Sequence, residues 1–264
     1  APSFARGWAS TCDALSDGSL DVPAIQRVLA AQLASVPPAL GGREVWALDG
    51  SSWARPTAPT SPERTACRVL VPGSATQSLV DGWEYQWLVQ VPEDAGSWVL
   101  PLAVDRRSPT AGTPTQLAIV QVQAVQAARA AARDAGGAPA DAAGTRPLLL
   151  LDSSYAVGQL AAADLGVDLL ARLAATRVFR RPPPPWKGVG RLPKHGAPFV
   201  LADPATHGEP DATTISADPH YGQITCARWD RLHDERRPSV ALSVIRIQLA
   251  HYAPRAHRRG APQP

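Results

Sequence analysis

Apolar and polar positions alternate most regularly in Trp83-Glu84-Tyr85-Gln86-Trp87-Leu88-Val89-Gln90-Val91. A two-residue period of this kind predicts a half-buried strand. Residues 66–71 and 97–104 have a similar texture. Turn residues separate the three runs: Val71-Pro72-Gly73-Ser74, then Pro92-Glu93-Asp94-Ala95-Gly96. Two mostly apolar runs, 44–48 and 148–151, predict buried strands, and a further strand is expected near 167–173. The helical period appears at 22–35, where Ile25, Val28, Leu29 and Leu33 share a face, with Asp21 as N-cap and Pro23 in the first turn. It returns at 114–134, where Leu117, Val120, Ala124, Ala127 and Ala131 predict a narrow face for packing on a sheet, and a short helix is expected near 156–164. A Ser/Thr/Pro-rich loop covers 50–64 and a Gly/Ala/Pro/Asp linker covers 135–146.

Beyond residue 174 the texture changes. Pro182 to Pro185 form a stiff spacer, followed by a basic loop, 186–196, that contains Trp186. Strand-like runs return at 223–229 and 240–250. The chain therefore divides into an N-terminal helical segment (1–43), a mixed α/β core (44–173) and a basic, β-rich region (174–264).

With 264 residues and 45% hydrophobic content, the chain can bury one large core, or one core and an insertion. No apolar run reaches membrane-spanning length and no charged-then-apolar leader opens the chain, so a soluble, intracellular protein without a membrane partner is expected. Cys12, Cys67 and Cys226 are far apart and make no Cys-x-x-Cys pair, which points away from a zinc site or a disulfide framework. The lack of any Met predicts a processed product or a piece of a longer reading frame.

The net charge of +3 matters less than its distribution. No acid falls between Asp168 and Asp203, yet Arg172, Arg177, Arg180, Arg181, Lys187, Arg191 and Lys194 do. Such a stretch is either a solvated surface or a phosphate-contacting one; these seven are the candidate DNA-binding residues. A second basic group, Arg255, His257, Arg258 and Arg259, lies near the C-terminus.

The candidate chemistry lies at the ends of the two apolar runs. Leu48-Asp49-Gly50-Ser51-Ser52-Trp53 and Leu151-Asp152-Ser153-Ser154-Tyr155 each deliver an aspartate to a strand end. Either residue alone reads more readily as a structural cap. Taken together, the two would offer the oxygen ligands that a hard divalent cation takes. The ordered series also includes Ser61-Pro62-Glu63-Arg64, Gly82-Trp83-Glu84-Tyr85-Gln86-Trp87, Leu201-Ala202-Asp203-Pro204-Ala205-Thr206, and Tyr221-Gly222 through Ala227-Arg228-Trp229-Asp230-Arg231-Leu232-His233. Through most of its length the chain resembles the catalytic core of DDE-superfamily transposases of bacterial insertion sequences.

That resemblance implies a ribonuclease-H-like mixed sheet with helices, interrupted by a β-rich insertion. It implies metal-dependent cleavage and transfer of DNA strands, with Asp49 and Asp152 as the first two catalytic and metal-binding acids and Mg²⁺ or Mn²⁺ as cofactor. The implied partners are transposon ends and target DNA, with a homo-oligomer compatible, in the bacterial cytoplasm at the nucleoid. Departures are visible. The family's third acid, a Glu on a helix past the insertion, is expected beyond this chain, so the chain reads as truncated before it; Glu235 is not that acid. After the second Asp, the family's further Asp is replaced within Asp152-Ser153-Ser154-Tyr155-Ala156.

Two alternatives stand beside the transposase reading. One is an inactive remnant that binds DNA through its basic segment; the other is an unrelated α/β hydrolytic enzyme using Asp49. Asp203, His207, Glu209 and Asp211 read as loop residues before a metal site. No nucleophile elbow and no phosphate-binding glycine motif occurs. Trp46, Trp83 and Trp87 lie on strand patterns and read as core; Trp186 is the better stacking candidate.

Overall fold

The computed structural model describes residues 42–70, 77–92, 99–110, 112–134 and 146–251, with a few positions between 18 and 28. It is a mixed α/β fold with two sheets and few helices. The chain forms two compact units, Ala1–Tyr155 with Ala163–Ala171, and Ala156–Ala162 with Arg172–Pro264. No described helix is long and apolar enough to cross a membrane. At the N-terminal helix, the backbone N–H of Ala24 donates to Asp21 Oδ1 at 2.9 Å, the expected cap; the end of that helix lies outside the described residues, as do the linker at 135–146 and the second basic group.

The described residues of the first unit form six strands: β1 (Val45–Ala54), β2 (Thr65–Leu70), β3 (Gln77–Val91), β4 (Leu100–Arg107), β5 (Leu148–Leu151) and β6 (Asp168–Ala171). Their order is β2-β3-β1-β5-β6, with β4 also paired to β3. Between β4 and β5 runs helix α1 (Pro114–Asp134). Its start is a reciprocal capping box. Thr113 Oγ1 accepts from the N–H of Gln116, the Gln116 side chain accepts from the N–H of Thr113, and Pro114 fills the first turn.

The packing face of α1 differs from the expected one. Thr115, Ala118, Gln121, Val122 and Val125 are buried, whereas Val120 is 60% exposed and Ala124 and Ala127 face solvent. A polar residue sets the rotation. Gln121 donates to the backbone carbonyl of Gln86 and to Asp105 Oδ2, so its amide is satisfied inside the sheet and the apolar alanines turn outward. Leu48, Leu88, Leu149 and Leu151 complete this core beside fully buried Trp46. Trp46 donates to Glu44, which Arg129 clamps with both terminal nitrogens.

Asp49 was expected at the end of its strand, and β1 instead continues to Ala54. The cause is β3. Its residues Gly82–Val91 keep an unbroken antiparallel ladder with β1 from Val45↔Val91 to Ala54↔Gly82, so the backbone of Gly50–Ser52 stays paired although its side chains are small and polar. The two strands approach closely at Gly82, where a Cβ would lie 2.3 Å from the Trp53 carbonyl oxygen.

The second unit contains α2 (Val157–Ala162), packed on β11, and strands β7 (Val178–Arg180), β8 (Pro198–Val200), β9 (Ala212–Asp218), β10 (Gly222–Asp234) and β11 (Arg237–Leu249). The order is β11-β10-β7-β8, with β9 also on β10. Its core is Phe179, Phe199, Ala227, Trp229, Leu232 and Val244. Buried His207 belongs to it. The ring stacks on Phe199 at 4.3 Å, and its Nε2 lies 2.9 Å from the Val200 carbonyl.

Candidate active site

Two strands with different partners position the two aspartates. The parallel ladder between β1 and β5 runs from Val45↔Leu148 to Leu48↔Leu151. Asp49 and Asp152 are the next residue on each strand, so the register brings them side by side at the C-terminal end of the parallel pair. Adjacent strands are about 4.8 Å apart, which sets the scale of their backbone separation. The apolar run of each strand is held in the sheet, and the first polar position of each falls at the same level.

Both carboxylates are exposed, and each uses one oxygen to shape its own turn. Asp49 Oδ1 accepts from the N–H of Gly50 at 2.8 Å. Asp152 Oδ1 accepts from the N–H of Ser154 at 2.9 Å and from Ser154 Oγ at 2.5 Å. The capping chemistry and the convergence therefore coexist.

Tyr155 completes the cluster and was not picked out from the sequence as a site residue. It is 3% exposed, and its phenol is pushed well above its usual range, first by burial and then by the negative charges of Asp152 and Asp49. It stays a neutral phenol at any working pH. A single side chain that feels both aspartates is a second sign that they share one locus. The available signal was Tyr155 three positions after Asp152, in a turn that must fold back over the strand end.

Among the described residues, no group of three or more His, Cys, Asp or Glu could hold a metal ion. Asp203 caps the turn before His207, and Asp211 accepts from the N–H of Asp230. Glu235 pairs with Arg180 at 3.1 Å.

The seven candidate DNA-binding cations separate into groups. Arg172, Lys187, Arg191 and Lys194 are exposed. Arg180 is held by Glu235, and Arg181 donates to the carbonyl of His207 with its guanidinium over Phe199. Arg177 lines a cavity of about 630 Å³ with Gly158, Leu173, Thr176, Phe179 and Arg237. Trp186 is 53% exposed. Trp83 and Trp87 are only half-buried, and their indole N–H groups donate to the carbonyl of Pro62 and to Ser51 Oγ.

Residues 6–235 match the family described as DDE superfamily endonuclease. No curated protein and no solved structure matches the chain.

Proposed function

Because the chain belongs to the DDE superfamily endonuclease family, we propose that it is the catalytic core of a DNA transposase, with a ribonuclease-H-like first unit and a DNA-holding basic segment. The observation that carries this reading is the ladder that ends at Leu48↔Leu151 and sets Asp49 beside Asp152. The donor set fits a hard divalent cation: two exposed carboxylates, with no thiol or imidazole gathered around them among the described residues. Asp49 and Asp152 would hold Mg²⁺ or Mn²⁺. When bound, such an ion supplies the positive charge that activates an attacking oxygen and stabilises a leaving oxygen at phosphorus.

The protein's own residues have simpler tasks. The two aspartates would hold that charge at the C-terminal end of the β1–β5 pair. Tyr155, buried and coupled to both acids, keeps its proton. Exposed Arg172, Lys187, Arg191 and Lys194 hold DNA by its phosphates without reading bases.

The test is calorimetric titration of Mg²⁺ into the 264-residue chain, alongside nicking of supercoiled DNA. Weak Mg²⁺ binding is expected, abolished in Asp49→Asn and in Asp152→Asn. Binding that survives both substitutions refutes the assignment. A second reading, a DNA-binding form that does not cut, is favoured by the lack of a third donor among the described residues. Salt-sensitive DNA binding without nicking selects it.

A further inference from the structure

On β1, side chains of Asp49, Ser51 and Trp53 share one face, and the ladder to β3 has no register shift across them. Their partners Trp87, Tyr85 and Trp83 lie on that face too. Trp53 stands at its far end. It is 55% exposed, unusual for the largest side chain, and meets Trp83 edge to face at 6.4 Å. The Arg55 guanidinium lies 5.1 Å from the centre of the Trp53 ring and 5.4 Å from that of Trp83. Arg106 lies 5.6 Å from the Trp83 ring.

Arg55 is not there to neutralise an acid. Among the described residues no carboxylate lies within salt-bridge distance of it, and its Nε is buried without a hydrogen-bond partner. Its backbone is fixed instead: the N–H donates to the carbonyl of Asp81, and its carbonyl accepts from Arg64. The rings and the cation are thus held in place, and over half of Trp53 is left in solvent. An exposed flat ring wants a stacking partner, and an uncommitted guanidinium wants an anion. A nucleotide supplies both from one residue.

Position narrows the ligand further. Trp53 is four residues from Asp49 on one face, about 13 Å at roughly 3.3 Å per residue. That is about the length of four stacked nucleotides at 3.4 Å each. Bases within a duplex are stacked on one another, so only an unpaired base can reach the ring.

We infer that Trp53, supported by Arg55 and Trp83, is a stacking subsite for an unpaired base of the DNA strand that runs to Asp49. This rests on the reading of Asp49 as the place where DNA is processed. The ring supplies stacking area, the guanidinium meets a neighbouring phosphate, and the two together hold strand ends that have lost their complement.

The experiment is fluorescence anisotropy with the 264-residue chain in EDTA, where no cleavage step intervenes. The probes are a single-stranded oligodeoxynucleotide, the same strand with abasic sites throughout, and a duplex. Trp53→Ala should lose roughly 5- to 100-fold affinity for the base-bearing single strand, and nothing on the abasic strand or the duplex. Trp53→Phe, which keeps a ring, should retain most of the parent affinity. The proposal is overturned if Trp53→Ala binds the base-bearing strand like the parent. Equal losses on all three probes overturn it as well, because the ring would then support the fold or the phosphate contacts. So does a parent that binds no single strand. Failure of the nuclease reading is read separately: a chain that shows the expected base preference but never nicks DNA with Mg²⁺ loses its catalytic assignment and keeps this subsite.

Discussion

Two carboxylates fixed side by side without a cation repel each other, and that repulsion should be measurable as a loss of stability. The perturbation is a double-mutant cycle of Asp49→Asn and Asp152→Asn. Asparagine keeps an oxygen that can accept from Gly50 and from Ser154, so the turns survive. Each single variant still mixes a weakened turn with relieved repulsion. The cycle cancels the turn contributions and leaves the mutual term. Both groups are exposed, so a water-like dielectric applies. With strands about 4.8 Å apart, 332/(εr) gives about 0.9 kcal/mol at low salt. The first substitution removes the whole repulsion and the second has none left to remove. The double variant should therefore be less stable than the sum of the two single effects by about that amount. The assay is urea denaturation in EDTA at low ionic strength. The coupling should collapse in 1 M salt, where the screening length is about 3 Å. Added Mg²⁺ should raise the unfolding midpoint of the parent and of neither single variant. Strictly additive substitutions at low salt would mean that the carboxylates do not share a locus, and would refute the reasoning behind the proposed site.

Other predictions follow from particular contacts. Gly82→Ala puts a methyl 2.3 Å from the carbonyl oxygen of Trp53, a backbone atom with nowhere to go; urea denaturation should show a loss of about 1–3 kcal/mol. His233 is buried, with its Nε2 2.9 Å from His195 Nδ1, and its pKa is depressed by burial, then by His195 and Arg180, against a smaller upward pull from Asp234. The unfolded chain then takes up this proton first, so the stabilisation is complete above an unfolded pKa of about 6.5 and declines as pH falls toward the folded value; unfolding midpoints between neutral and mildly acid pH should show this slope, and His233→Gln should flatten it. Neutralising Lys187, Arg191 and Lys194 together should weaken DNA binding alike on all sequences, and flatten the plot of log K against log salt by roughly 0.9 for each phosphate that the variant no longer engages; an unchanged slope would make this loop merely solvated surface.

Much of the first unit was legible because local pattern and tertiary role agree there. Pro114–Asp134 and Leu148–Leu151 coincide with the expected helix and strand: a capping box marks the helix start, and an uninterrupted leucine run marks the strand. Agreement fails where the partner decides. Gly50–Ser52 read as loop and form strand because β3 supplies the ladder. Val120 read as core and is exposed because Gln121 finds partners inside. In the second unit, β7 and β8 have three residues each, too few to display a period, and β9 is Thr- and Ser-rich with mostly exposed positions. His207 read as a loop residue because nothing local reveals a ring stacked on Phe199. Both candidate aspartates were legible from apolar runs that lead into an Asp, although β1 continues past Asp49. Tyr155, Trp53 and Arg55 were not, because burial, exposure and a missing counter-ion are tertiary facts.

The parallel pairing of β1 with β5 also bears on how the protein reaches its native state. Antiparallel β1 and β3 can meet by closing a comparatively short stretch of chain, whereas Leu48 meets Leu151 only after about a hundred residues, α1 among them, have been brought round. Contacts of such long range are reached late on a folding pathway. Asp49 and Asp152 therefore become neighbours only when that pairing forms. Until β5 docks against β1, the chain carries neither the paired acids nor the cation site proposed for them.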